Sequence, residues 1–133
     1  MASASNSSIS SHGITFTQIN NLDDLNQQLA QYDRIAMLDL YADWCTDCKT
    51  MELTTFQDPD VIKTMSNMTK LQVDLTDNTD DHKALLKEFG LFGPPTLLFF
   101  DANGNEYKQY RLVGAIDAEG LLQHLAKLPT SAL

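Results

Sequence analysis

The chain has 133 residues, 43% of them hydrophobic, which is one domain's worth of sequence and enough to bury a core. Its formal net charge of -9 argues against nucleic acid, whose phosphates demand clustered Lys and Arg, and against anionic membrane surfaces. No stretch approaches the ~20 apolar residues of a membrane span, no basic-then-apolar leader is visible, and two cysteines are too few for a disulfide framework.

Residues 1–13 are rich in Ser, Ala and Asn and lack periodicity, as a flexible tail, a linker or an expression remnant would be. A single domain is expected over residues 14–133. Ile14 to Thr17 alternates apolar and polar residues, the pattern of a short strand. Leu22, Leu25 and Leu29 give helical spacing from Asn21 to Tyr32, with Asn20 or Asn21 as cap. The apolar run within Arg34 to Ala42 reads as a buried strand. A helix is expected to start near Cys45 and to run through Lys49, Met51 and Leu53. Asp58-Pro59 reads as a cap followed by Pro at the first helical position. Lys70 to Leu75 is the next strand, and Asp80 to Phe89 a helix stopped by Gly90. Pro95 to Asp101 and Tyr107 to Val113 are predicted to pair across a turn at residues 102–105. Asp117 to Leu128 closes the chain as an amphipathic helix ended by Pro129. The order is βαβαβαββα, an α/β arrangement whose central crossovers are expected to be right-handed.

The chemistry concentrates in Cys45-Thr46-Asp47-Cys48. These are the only two cysteines, and they sit one helical turn apart. Two thiols at that spacing can close a disulfide, which needs Cα atoms roughly 4.4–6.8 Å apart. A strand leading into Cys-x-x-Cys at the mouth of a helix reads as a redox site. At the helix N-terminus free N–H groups favour a thiolate, so Cys45 is the expected nucleophile and Cys48, one turn in, the shielded resolving thiol. A zinc site would need about four ligands, yet His12, His82 and His124 are scattered and there is no second Cys pair. Hence no metal or cofactor is expected beyond the redox-active pair itself.

Asp39 interrupts the apolar strand six residues before Cys45. A buried carboxylate is costly unless paired or neutralised. Asp39 is therefore expected to be a proton acceptor for Cys48 with a raised pKa, rather than a solvent-facing edge residue. Glu52 follows Cys48 by four residues on the same helix face. Spacing alone leaves it either a second carboxylate for the thiols or an ordinary solvated residue. These acids disfavour a thiolate, which points to a reductant and not an oxidase. Asp47 reads equally well as a favourable acid in a first helical turn. Trp44 is expected to shield the site or to contact a partner. Tyr41 is open between core packing and a hydroxyl facing the site.

The segment from Asp39 to Lys49 resembles the active-site segment of the thioredoxin superfamily, and Gly93-Pro94-Pro95-Thr96-Leu97-Leu98-Phe99-Phe100 resembles its cis-proline loop and following strand. The run from Leu38 to Lys49, Glu52, Thr55-Phe56 and Asp58-Pro59 is similar to the C-terminal thioredoxin-like domain of the DsbD family of thiol:disulfide interchange proteins. The resemblance covers roughly residues 14–128. It implies a thioredoxin fold, a central mixed sheet with helices on both faces. It implies nucleophilic Cys45, resolving Cys48, a functional Glu52, and a cis Pro95 whose loop pairs with the partner's backbone. Thr46-Asp47 departs from the Gly-Pro of ordinary thioredoxin inside the redox ring. Pro94 has no N–H, so it either offers a partner only its carbonyl or merely stiffens the loop.

The resemblance further implies a protein-disulfide reductase that relays electrons. The DsbD transmembrane domain, itself reduced by cytoplasmic thioredoxin, would be the donor. The N-terminal periplasmic domain would be the acceptor, serving disulfide isomerization and cytochrome c maturation. The chain would then be an excised, monomeric domain on the periplasmic side of the inner membrane. A stand-alone thioredoxin-like reductase is the alternative enzyme. A binding or chaperone module with incidental thiols is the alternative of another class.

Overall fold

The computed structural model describes residues 13–129. The expected tail therefore lies, but for Gly13, outside the described residues. Five strands are present: β1 (Thr17–Ile19), β2 (Ala36–Tyr41), β3 (Thr69–Asp74), β4 (Thr96–Phe100) and β5 (Leu112–Val113). They lie in the order β1-β3-β2-β4-β5. β1, β3 and β2 run parallel, while β4 and β5 are antiparallel to their neighbours. The α-helices are α1 (Leu22–Gln31), α2 (Thr46–Leu53), α3 (Pro59–Thr64), α4 (Asp80–Phe89) and α5 (Ala118–Lys127). This is the mixed sheet of a thioredoxin fold.

Local signals set the helix ends. Asn21 caps α1 by accepting from the Asp24 N–H at 2.8 Å. Asp58 caps α3 ahead of Pro59, and Asp117 caps α5. Gly90 ends α4 at φ 67, a left-handed conformation that suits a residue without Cβ.

The sheet is covered on both faces because its strands alternate sides. Ala36, Leu38 and Leu40 of β2 join Leu71 and Val73 of β3 and Leu98 and Phe100 of β4 against α1 and α4. Met37, with Ile35 just before the strand, joins Leu97 and Phe99 of β4 against Met51 of α2, Val61 of α3, and Leu121 and Leu125 of α5. Asp39 has the parity of Met37, so it lies on the α2 face in the middle of a strand whose six residues are all buried. Gln72 faces it from β3, and Gln18 of β1 faces Gln72. A polar row thus crosses three strands of an otherwise apolar layer.

Two strand expectations are corrected. The first strand is Thr17–Ile19 and not Ile14 to Thr17. Ile14 instead donates its N–H to Phe56 O at 3.1 Å, and Ile14 and Phe16 pack into the α2-side core before the chain reaches β3. The partner of β4 is not continuous from Tyr107 to Val113. Glu106 bridges Phe100, the chain then makes a 3₁₀ turn at Lys108–Tyr110, and pairing resumes with Leu112 opposite Leu97. The surplus residues are turned out of the ladder. The loop is held by the Arg111–Glu106 ion pair (2.5 Å) and by His124 Nε2 against Tyr110 O (2.6 Å).

Candidate active site

β2 ends at Tyr41 and delivers the chain through residues 42–44 to the start of α2. Cys45 is the N-cap of that helix, and its Sγ accepts from the Cys48 N–H at 3.2 Å. Cys45 and Cys48 are joined as a disulfide with Cα atoms 5.3 Å apart, inside the range such a bridge requires. Cys48 Sγ lies 3.9 Å from Leu40 O, against the end of β2. The expected contrast in exposure is small. Cys45 is 7% exposed and Cys48 4%, because both pack with Tyr41 and Ala42 while bonded to each other.

Asp39 is 4% exposed on the central strand, so the solvent-facing alternative does not hold. Its Oδ2 accepts from Gln72 Nε2 at 2.9 Å. Burial pushes its pKa up to about 7, against the pull of the Gln72 hydrogen bond and with a further push from the Glu52 carboxylate. Glu52 is half-buried and borders a cleft of about 250 Å³ with Phe16, Leu53 and Phe56. Burial raises its pKa; Lys49 opposes this, while Asp43 and Asp74 add to it. Glu52 thus acts on Asp39 by like charge, while Lys49, Asp43 and Asp74 act on Glu52.

Tyr41 is buried at the end of β2. It packs with the cysteines, and its hydroxyl donates to Asp43 Oδ1 at 3.0 Å. Lys49 Nζ reaches Asp43 at 3.6 Å and sits 5.5 Å over the Tyr41 ring. Asp43 also donates its N–H to Thr76 Oγ1 at 2.8 Å. The segment ahead of the disulfide is thereby fastened to the end of β2, to α2 and to the loop after β3. Trp44 stands 64% exposed in that segment, and Asp47 is an exposed acid in the first turn of α2.

The Pro94-Pro95 peptide is cis, as the resemblance implied. Pro95 O accepts from Gly114 N–H at 2.9 Å, which leaves the loop anchored to the end of β5. Phe92 and Val113, both exposed, flank it along the chain and across the β4–β5 pairing. Sequence reasoning passed over these two, and over Gln72. For Gln72 no such signal existed: Lys70, Gln72 and Asp74 alternate regularly with Leu71, Val73 and Leu75, the pattern of a half-buried strand, and only the register with Asp39 buries it. Among the described residues no group of His, Cys, Asp or Glu could hold a metal ion.

A cysteine pair at a helix N-terminus, at the end of a strand that buries Asp39 and pairs Leu40 with Thr96 just after the cis-proline, is an arrangement suited to thiol exchange. The family whose description is thioredoxin-like domain matches residues 23–129. The chain belongs to the thioredoxin-like family. It is 47% identical over 117 residues to the thiol:disulfide interchange protein DsbD of Yersinia enterocolitica, which covers 87% of this chain and 20% of that protein. DsbD of Haemophilus influenzae is 45% identical over 116 residues, with 86% and 20% covered. The chain thus spans about one fifth of the length of these curated relatives. The oxidised C-terminal domain of Neisseria meningitidis DsbD superposes with a TM-score of 0.72 at 31% identity, over 85% of this chain and 100% of that one. The chain is a thioredoxin-like redox domain homologous to the C-terminal region of DsbD. These relatives are named as thiol:disulfide interchange proteins, and the present chain holds its own two cysteines as a disulfide at the start of α2. No helix among the described residues is long and apolar enough to cross a membrane.

Proposed function

We propose that this domain is a protein-disulfide reductase acting as an electron relay on the periplasmic side of the bacterial inner membrane. The observation that carries the reading is a cysteine pair capping α2, with Asp39 buried on the α2 face of the central strand. In the reduced protein, the Cys45 thiolate is stabilised by the Cys48 N–H and attacks one sulfur of a partner disulfide. A mixed disulfide forms, and the partner's other sulfur leaves as a thiolate. Cys48 gives its proton to Asp39 and attacks Cys45 Sγ. The Cys45–Cys48 bond forms, the partner's first sulfur leaves, and two electrons have passed to the partner, whose thiolates take up protons. An incoming dithiol reverses these steps on the domain and resets it.

Asp39 and Glu52 manage the proton and hold the thiolate population down, which favours electron donation. Trp44, Tyr41, Pro94 and Pro95 border the surface where a partner's backbone would lie. The donor is the membrane-embedded domain, and the acceptor the N-terminal periplasmic domain, of a longer DsbD-like protein. The one-fifth share of its relatives' length supports this role as one part of several.

The test is reduction of a partner disulfide by the pre-reduced domain. The parent is expected to transfer two electrons, Cys45→Ser none, and Cys48→Ala to stall as a mixed disulfide with the acceptor domain. Undiminished reduction by Cys45→Ser would overturn the reading. Reduction of the domain by thioredoxin reductase, but not by the membrane-embedded domain, would replace the relay with a stand-alone reductase.

A further inference from the structure

The polar row across β1, β3 and β2 has a direction. Gln18 Nε2 donates to Gln72 Oε1 at 2.7 Å, and Gln72 Nε2 donates to Asp39 Oδ2 at 2.9 Å. Gln72 is 7% exposed, so its amide finds little water to compete with these bonds. Gln18 stands at the exposed end of the row, on the edge strand. An amide has one accepting and one donating end. With Oε1 engaged by Gln18, the donating end must point at Asp39. The reverse orientation would set an amide oxygen against a carboxylate oxygen, two acceptors in a buried layer. No described residue donates a hydrogen bond to Asp39 Oδ1.

We propose that Gln72 is a positioning residue for thiol exchange: it ties down Oδ2 of Asp39 and leaves Oδ1 as the oxygen that takes the proton of Cys48, while Gln18 keeps the Gln72 amide pointed the right way. This rests on the reading of Asp39 as the proton acceptor. The neutral amide orients the carboxyl without adding a charge. Among the described residues Glu52, from α2, is the one charged group acting directly on Asp39, and its like charge favours the protonated form. Asp43, Lys49 and Asp74 at the rim act on Glu52. On the β4 side Asp39 is paired with Leu97, which is apolar. The Gln72 N–H is therefore the group that draws Asp39 back toward the carboxylate needed to accept a proton near neutral pH.

The experiment uses Gln72→Met, which keeps the length and volume of the side chain without its amide, and Gln18→Met at the exposed end of the row. The Asp39 carboxyl is followed by carbon NMR through a pH titration of the oxidised protein. The pH dependence of mixed-disulfide resolution is measured alongside it. In Gln72→Met the Asp39 midpoint is expected to move upward by about one pH unit, as a hydrogen bond to a charged group warrants. The resolution profile should follow it, with KM for the partner disulfide unchanged because Gln72 is buried. Gln18→Met should move both in the same direction by less. An unmoved Asp39 midpoint in the two variants overturns the proposal. A midpoint that moves while the rate profile stays in place removes Asp39 from the proton path, and so overturns the underlying reading while retaining the Gln72–Asp39 coupling.

Discussion

The backbone N–H of Cys48 donates to Cys45 Sγ at 3.2 Å, so α2 turns one of its free amides onto the sulfur that precedes it. That amide and the helix dipole favour negative charge at Cys45. Cys48 gains no such donor, and its sulfur faces the Leu40 carbonyl. In the reduced protein, Cys45 is therefore expected to alkylate first. Cys48→Ala should retain the fast phase, and Cys45→Ser should slow modification by about tenfold or more, as a one-unit difference in thiol pKa implies. Equal rates for the two single-cysteine variants, read by mass spectrometry, would defeat the assignment of nucleophile and resolver.

Asp39→Asn tests the cost of burying the carboxyl. The folded protein holds the Asp39 proton up to about pH 7, whereas the ordinary value is 3.8. Between those limits the native state binds more protons than the unfolded chain, so this residue makes stability fall as pH rises, and the full cost remains above the upper limit. Near pH 8 the Asn variant should be more stable than the parent by about 2–4 kcal/mol. Near pH 3.5, where both states of the parent are largely protonated, that advantage should vanish. Urea unfolding with the disulfide intact measures both. A variant equally stabilised at the two pH values would show that the gain is not protonation linkage.

The features legible in the sequence were those whose chemistry is local. Asn21, Asp58-Pro59, Gly90 and Asp117 mark helix ends through bonds made within a few residues. Cys45 and Cys48 lie within one turn, and Asp39 stands out as a charge in an apolar run. Gln72, by contrast, is a regular polar member of the alternation Lys70-Leu71-Gln72-Val73-Asp74, which reads as a solvent-facing position. Its role, however, depends on a cross-strand register with a residue 33 positions away, which no local pattern supplies. Periodicity likewise made Tyr107 to Val113 one strand. The 3₁₀ turn that interrupts it is held by Arg111 reaching Phe89 O and by His124 of α5, both tied to partners distant in sequence.

Glu52→Gln should release the thiols from part of their electrostatic restraint. Glu52 is half-buried, and the like charges of Asp43 and Asp74 help to raise its own pKa. When ionised it opposes a second negative charge at Cys45. Removing it is expected to lower the Cys45 pKa by about half a pH unit, giving about threefold more thiolate at neutral pH. Iodoacetamide modification of the reduced protein should accelerate by that factor, and the reduction potential should become more oxidising, since a stabilised thiolate stabilises the reduced form. An unchanged rate would place Glu52 outside the field that governs the nucleophile.

Pro94→Leu addresses how tightly a partner is held. Pro94 carries no N–H, Gly93 O is taken by Thr96 Oγ1 at 2.7 Å, and Pro95 O by Gly114 N–H at 2.9 Å. Of the three consecutive carbonyls of Gly93, Pro94 and Pro95, that of Pro94 is thus the one left for an extended partner strand. Leucine at this position would add an N–H donor, worth roughly 0.5–1.5 kcal/mol when bonded. The non-covalent affinity for the acceptor domain, measured with both partners stripped of their cysteines, should then be about twofold to tenfold higher for Pro94→Leu than for the chain that keeps the proline. Isothermal titration reads this directly. Weaker or equal binding by Pro94→Leu, in a variant whose thermal unfolding matches the parent, would mean that the proline only stiffens the loop.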